Sequence, residues 1–164
     1  MEITGGTADQ PTLSTVRRLV GVVLFVAFVG TLIELVLLEH TETFVQGIPL
    51  ALLAIAVLLL LWVMIRPRWM AVVLFQTLMA LLIGAGMLGL LLHFRANLEF
   101  QRDLAPTARL TELFWKVMAA KAPPALAPAV LAQLGCLGLI YAYRFPVGHT
   151  LWRTGGGDGN DAIN

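Results

Sequence analysis

The stretch Leu58–Phe75, LLLLWVMIRPRWMAVVLF, decides the fold. Two apolar runs meet at Arg66-Pro67-Arg68. Proline lacks the N–H that a helix needs and disfavours helical geometry in the residue before it, so the first run stops there. The arginines require water, and Trp69 suits the belt where a membrane helix leaves the hydrocarbon. Upstream the apolar run reaches back to about Ile48, and downstream it continues to about Leu92. Each arm therefore supplies close to the ~20 residues that a bilayer crossing takes. Because lipid offers no hydrogen-bonding partner to the backbone, both arms must be helical. The stretch reads as the tight polar corner of a transmembrane hairpin.

Working outward, the same pattern extends over the chain. Of the 164 residues, 59% are hydrophobic and only 13% charged, and mean hydropathy is +0.84. Soluble domains run at roughly 45–50% apolar and about 25% charged. The expected fold class is an all-α membrane protein, a four-transmembrane-helix up-down bundle with an extra external amphipathic helix between the third and fourth spans. Residues 1–15 read as a disordered lead-in and 147–164, ending TGGGDGNDAIN, as a disordered tail. The membrane domain between them, 16–146, has spans expected at about 17–38, 48–65, 69–92 and 124–144. The first span follows Arg17 and Arg18 but is too long for a signal-peptide core and has no small-x-small cleavage site, so it reads as uncleaved. FVQGIP, residues 44–49, reads as a turn between the first two spans, with Gly47 as the breaker.

Nothing interrupts the third helix before Pro106, so it should continue through HFRANLEFQRDL to about residue 104 and stand proud of the bilayer. Residues 107–120 follow. There Leu110, Leu113, Phe114, Val117 and Met118 fall at i, i+3, i+4, i+7 and i+8, the signature of an amphipathic helix lying in the interface or capping the bundle. Pro128 should kink the fourth span or delay its regular start.

Net charge of +1 and a pI near 8.0 exclude the basic field that nucleic acid requires. A single cysteine, Cys136, forms no internal disulfide and no CxxC pair, and its place in an apolar span reads as a small buried hydrophobe. Lys and Arg number two before the first span, none in the first loop, two in the second, five in the third and two in the tail. The short flanks favour both termini inside. Small residues spaced by four, Ala85 with Gly89, Ala125 with Ala129, Ala132 with Cys136 and Gly138 with Ala142, should mark helix-packing faces.

The polar residues that composition does not explain begin with Glu34. It follows Gly30 by four and Ala27 by seven, so it should share their face and point into the bundle, with Gln133 as its partner. A carboxylate within a span costs roughly 2.5–3.5 kcal/mol unless paired, protonated or wetted. Near it the expected topology gathers Glu39, His40 and Glu42 with His93, Arg95, Asn97 and Glu99 on one external face. Imidazole and carboxylate there suit a divalent metal held by His40, His93, Glu39, Glu42 and Glu99, or a haem clasped between His40 and His93. No HxxxH or HExxH spacing occurs, and solvated ion pairs at helix ends explain the same residues. No catalytic arrangement and no phosphate loop is present.

ELVLLEHTE from Glu34, Gln46, IPLALL from Ile48, LLHFRANLEF from Leu91, ELFWK from Glu112 and PPALAPAVLAQLG from Pro123 together resemble a group of small four-span inner-membrane proteins predicted from bacterial genomes. The similarity runs from about Leu32 to Pro146. It implies bacterial inner-membrane localisation and four spans, and it carries over no catalytic residue. The leading functional expectation is a non-enzymatic accessory or binding protein, in contact with lipid and with a protein partner or a second copy. A metal or haem redox protein using His40 and His93, and a small proton-coupled transporter using Glu34, are the competing classes.

Overall fold

Five helices follow in chain order in the computed structural model, which describes residues 9–39, 43–119 and 126–146. They are α1 (Asp9–Leu37), α2 (Phe44–Ile65), α3 (Trp69–Leu104), α4 (Leu110–Met118) and α5 (Ala129–Ala142). No strand occurs among the described residues. Helices α1, α2 and α3 are long and apolar enough to cross a membrane, and α5 is a shorter apolar helix. Their outward faces carry Val26, Leu58, Leu81 and Leu91, all more than half exposed. Lipid accepts such faces and water does not.

The packing order is α1 on α2, α2 on α3, α3 on α5 and α5 back on α1, with α4 set against α3. Apolar residues at heptad-like intervals build the centre. Leu53, Ala56, Leu60 and Val63 of α2 are fully buried and meet Leu24 and Phe28 of α1 and Phe75, Met79 and Leu82 of α3 in one cluster. Leu131, Leu134 and Tyr141 complete it from α5. Spacings of three and four keep each set on one stripe of its helix.

The α3–α5 crossing is the tightest. A Cβ on Gly135 would stand 2.6 Å from the Met79 carbonyl oxygen, and one on Gly86 would stand 2.6 Å from the Ala132 nitrogen. Gly138 likewise faces the Met79 side chain, and Gly89 faces Pro128. Where lipid supplies no hydrophobic drive, close backbone approach through small residues is what holds helices together. The buried glycines of this crossing are Gly86, Gly135 and Gly138. Of the four-spaced small residues, Gly138 and Ala142 are buried, Gly89 meets Pro128 and Ala132 meets Gly86, whereas Cys136 is exposed, contrary to its reading as a buried residue, because Gly135 and Gly138 claim the inward stripe and Cys136 lies 100° round the helix from Gly135; Ala125 lies outside the described residues.

Several boundaries differ from the sequence reading, each for a local reason. Helix α1 begins at Asp9, within the segment expected to be disordered; Ser14 and Thr15 hydroxyls donate to the Pro11 carbonyl at 2.8 and 3.0 Å in its first turns. FVQGIP is not a turn but the start of α2. Thr43 and Gln46 form a capping box, in which the Gln46 N–H donates to the Thr43 hydroxyl at 3.3 Å and the Thr43 N–H donates to Gln46 Oε1 at 2.9 Å. Those two bonds satisfy donors that the missing preceding turn leaves free, which outweighs Gly47 as a breaker. Thr43→Ala should lower stability by about 1 kcal/mol, read as the unfolding midpoint in detergent; an unchanged midpoint would show the cap to be idle. Regular helix in α5 starts only after Pro128, so it has 14 residues where a span over 124–144 was expected, and Leu126–Pro128 form a turn. The reading of a disordered tail over 147–164 lies outside the described residues.

Candidate functional site

Two ends of the molecule carry its polar side chains. At the first, α1 ends, α2 begins and α3 runs on. Helices α2 and α3 leave the same three-residue corner antiparallel, and α2 has 22 residues against 36 in α3. The surplus of 14 residues carries α3 about 21 Å past the start of α2. His93 lies just above that level, whereas Glu99 lies about 9 Å further out. Six residues apart on one helix, they also point 120° away from each other.

Glu99 is engaged elsewhere. Its carboxylate accepts a bond from Arg95 Nε at 2.9 Å, an exposed i,i+4 pair of the kind that contributes about 0.3–0.5 kcal/mol. Glu39 is exposed and closes α1 in the left-handed region, φ 51°, a conformation that glycine adopts more readily. Among the described residues no three of His, Cys, Asp and Glu come together as metal ligands would. His40 and Glu42, needed for the metal and haem readings, lie outside the described residues, as does His149.

Glu34 differs from its expected placement. It is exposed on the side of α1, as is Gly30, beside which no atom lies within 4 Å of where a Cβ would stand. The inward stripe of α1 is Leu24 and Phe28, and Glu34 is turned well away from it. Gln133 is exposed on α5, and no hydrogen bond joins the two. Of the two small residues in the register of Glu34, Ala27 packs against the core, while Gly30 and Glu34, further along the helix, are exposed. Three residues from the helix end, the Glu34 carboxylate can reach the wet boundary without a protein partner.

The second end gathers residues that no spacing in the sequence announces. Arg17 Nη2 donates to the Tyr143 carbonyl at 3.3 Å across 126 positions, and its guanidinium lies 5.0 Å from the centre of the Phe145 ring. Gln76 Nε2 donates to the Ala142 carbonyl at 3.1 Å. Tyr141 stacks edge-on against Phe75 and tilts against Phe145 at 5.4 Å. Both carbonyls belong to the last turn and exit of α5, where helical partners run out. Side chains of α1 and α3 therefore cap α5 and tie α1 to it. The arginine pair before the first span and the aromatic YAYRF exit were the visible signals, but only packing joins them.

The projecting end has the more distinctive surface. Asn97, 4% exposed, is the one buried polar residue of the described set. It sits on the overhang of α3, against which α4 folds back after the short connection 105–109. Leu113 and Val117 seal α4 to α3. Phe100, Leu104, Leu110 and Trp115 stay 60–70% exposed around this two-helix projection. Comparison with protein-family models, curated proteins and solved structures finds no match to the chain. Its functional reading rests on this geometry.

Proposed function

We propose that the chain is a four-span protein of the bacterial inner membrane, with both termini inside, that works as a non-enzymatic accessory protein and offers the α3–α4 projection to a protein partner on the external face. The observation that carries this reading is the 14-residue surplus of α3 over α2, sealed by α4 and still bearing exposed Phe100, Leu104 and Leu110 at its tip. Large apolar side chains held out beyond a membrane mark contact surfaces more often than solvated ones. A fourth crossing is supported by α5. Its Tyr141 meets Phe75 and its start meets Gly86 and Gly89, so the chain returns antiparallel along α3 from one end of the core to the other.

A photo-crosslinking side chain placed at Phe100 or Leu104 of the full chain in cells should give a discrete protein adduct. The same probe at Met87, on the outward face of α3 within the span, should give none. Absence of a protein adduct at both tip positions would remove the reading.

A further inference from the structure

The overhang carries a second surface below its tip, formed by one flank of α4. Around the axis of α4, residues fall in three sectors. Leu113 and Val117 are buried against α3; Glu112 and Lys116 occupy an exposed charged flank; Phe114 and the half-buried Met118 occupy the opposite flank, with Trp115 at its outer edge facing away from α3. The apolar flank is built outward from α3 by successive ring contacts, Phe94 to Phe114 at 6.1 Å and Phe114 to Trp115 at 5.5 Å. That chain ends on an indole that is 70% exposed.

Its height is what selects an occupant. Pro128, at the start of α5, lies against Gly89, so the apolar crossing ends near Gly89 on α3. Phe94 is five residues further, about 7–8 Å, which is the depth of the headgroup layer on one side of a bilayer. At the level of Gly89, Leu88 and Leu91 of α3 are 56% and 62% exposed. An amphipathic helix with an aromatic flank at that depth and a charged flank facing away meets the requirements of interfacial binding. We infer that the Phe94–Phe114–Trp115 flank is seated in the phospholipid headgroup layer, so that lipid fixes the tilt of the projection and leaves its tip free for a partner. This rests on the membrane reading above.

The test uses the full chain in phospholipid vesicles with lipids brominated high on the acyl chain, and two single-tryptophan variants. One retains Trp115 and the other retains Trp62, which lies in α2 and is partly exposed. Trp115 fluorescence should be blue-shifted and quenched several-fold by the brominated lipid, to the same extent when the protein is diluted in excess lipid. Quenching of Trp62 with water-like, unquenched emission from Trp115 would overturn the inference while leaving the membrane reading intact. A blue-shifted Trp115 that lipid does not quench and that turns water-like on dilution would mean that a second copy covers the flank, and would also overturn it. If neither tryptophan is quenched, both readings fall.

Discussion

Gly135→Val should unfold the α3–α5 crossing, lowering stability by about 3 kcal/mol or more, at or above the upper end of what overpacking a core costs. The nearest atom to the new Cβ is the Met79 carbonyl oxygen at 2.6 Å, with the Ile83 nitrogen at 3.1 Å. These are backbone atoms of a helix, and no rotamer change moves them. Gly86→Val approaches the same crossing from the other side, against the Ala132 nitrogen and the Pro128 carbonyl, and should cost a similar amount. Two other helical glycines set the contrast. Gly30 and Gly84 have nothing within 4 Å, so Gly84→Ala should be neutral or stabilise α3 by about 0.5–1 kcal/mol through the lost flexibility of glycine. Thermal unfolding in detergent, followed by helical circular dichroism, separates these cases. Equal midpoints for Gly135→Val and Gly84→Ala would mean that α5 is not seated on α3 as described.

Phe75→Ala should be the most damaging truncation in the core, costing about 3–5 kcal/mol. Phe75 is fully buried, and its ring meets Tyr141 edge-on, centroids 6.0 Å apart and planes at 77°. Removing it opens a cavity beneath Tyr141 and withdraws an aromatic pair that contributes about 0.5–1.5 kcal/mol beyond its burial. It also loosens the neighbouring Gln76 bond that caps α5, so the end of the molecule held by Arg17 should fray with it. Phe100→Ala is the matched control, because the same side chain is 60% exposed on the overhang and should leave stability within about 0.5 kcal/mol of the parent. Denaturant titration of both variants decides the point. A Phe75→Ala protein as stable as Phe100→Ala would contradict the burial.

The partner and lipid surfaces proposed for the overhang make separate demands on it. A partner needs the tip, Phe100, Leu104 and Leu110, whereas the headgroup layer needs the lower flank, Phe114 and Trp115. Because α4 contributes to both, its seal on α3 through Leu113 and Val117 couples them. Loss of the seal should release both surfaces together, while substitutions on either exposed flank should act on one.

By itself the sequence determined helicity, the tight corner at Arg66–Arg68, the uninterrupted run of α3 to Leu104 and the apolar character of the long helices. All follow from local rules: proline geometry, hydropathy over a span and the absence of a breaker. The Thr43–Gln46 capping box is also readable in the sequence, although Gly47 directly after it suggests a turn instead. Tertiary structure alone decided which face of each helix is inward. A stripe of small residues looks the same whether it meets a helix or lipid, so Gly30 and Glu34 on α1 could not be told from Gly135 and Gly138 on α5 until the neighbours were in place. The same holds for Arg17 and Tyr143, whose meeting depends on the path of the whole chain between them. In a membrane both faces of a helix are apolar, so the periodicity that orients a helix in water is largely erased, and packing supplies what the pattern omits.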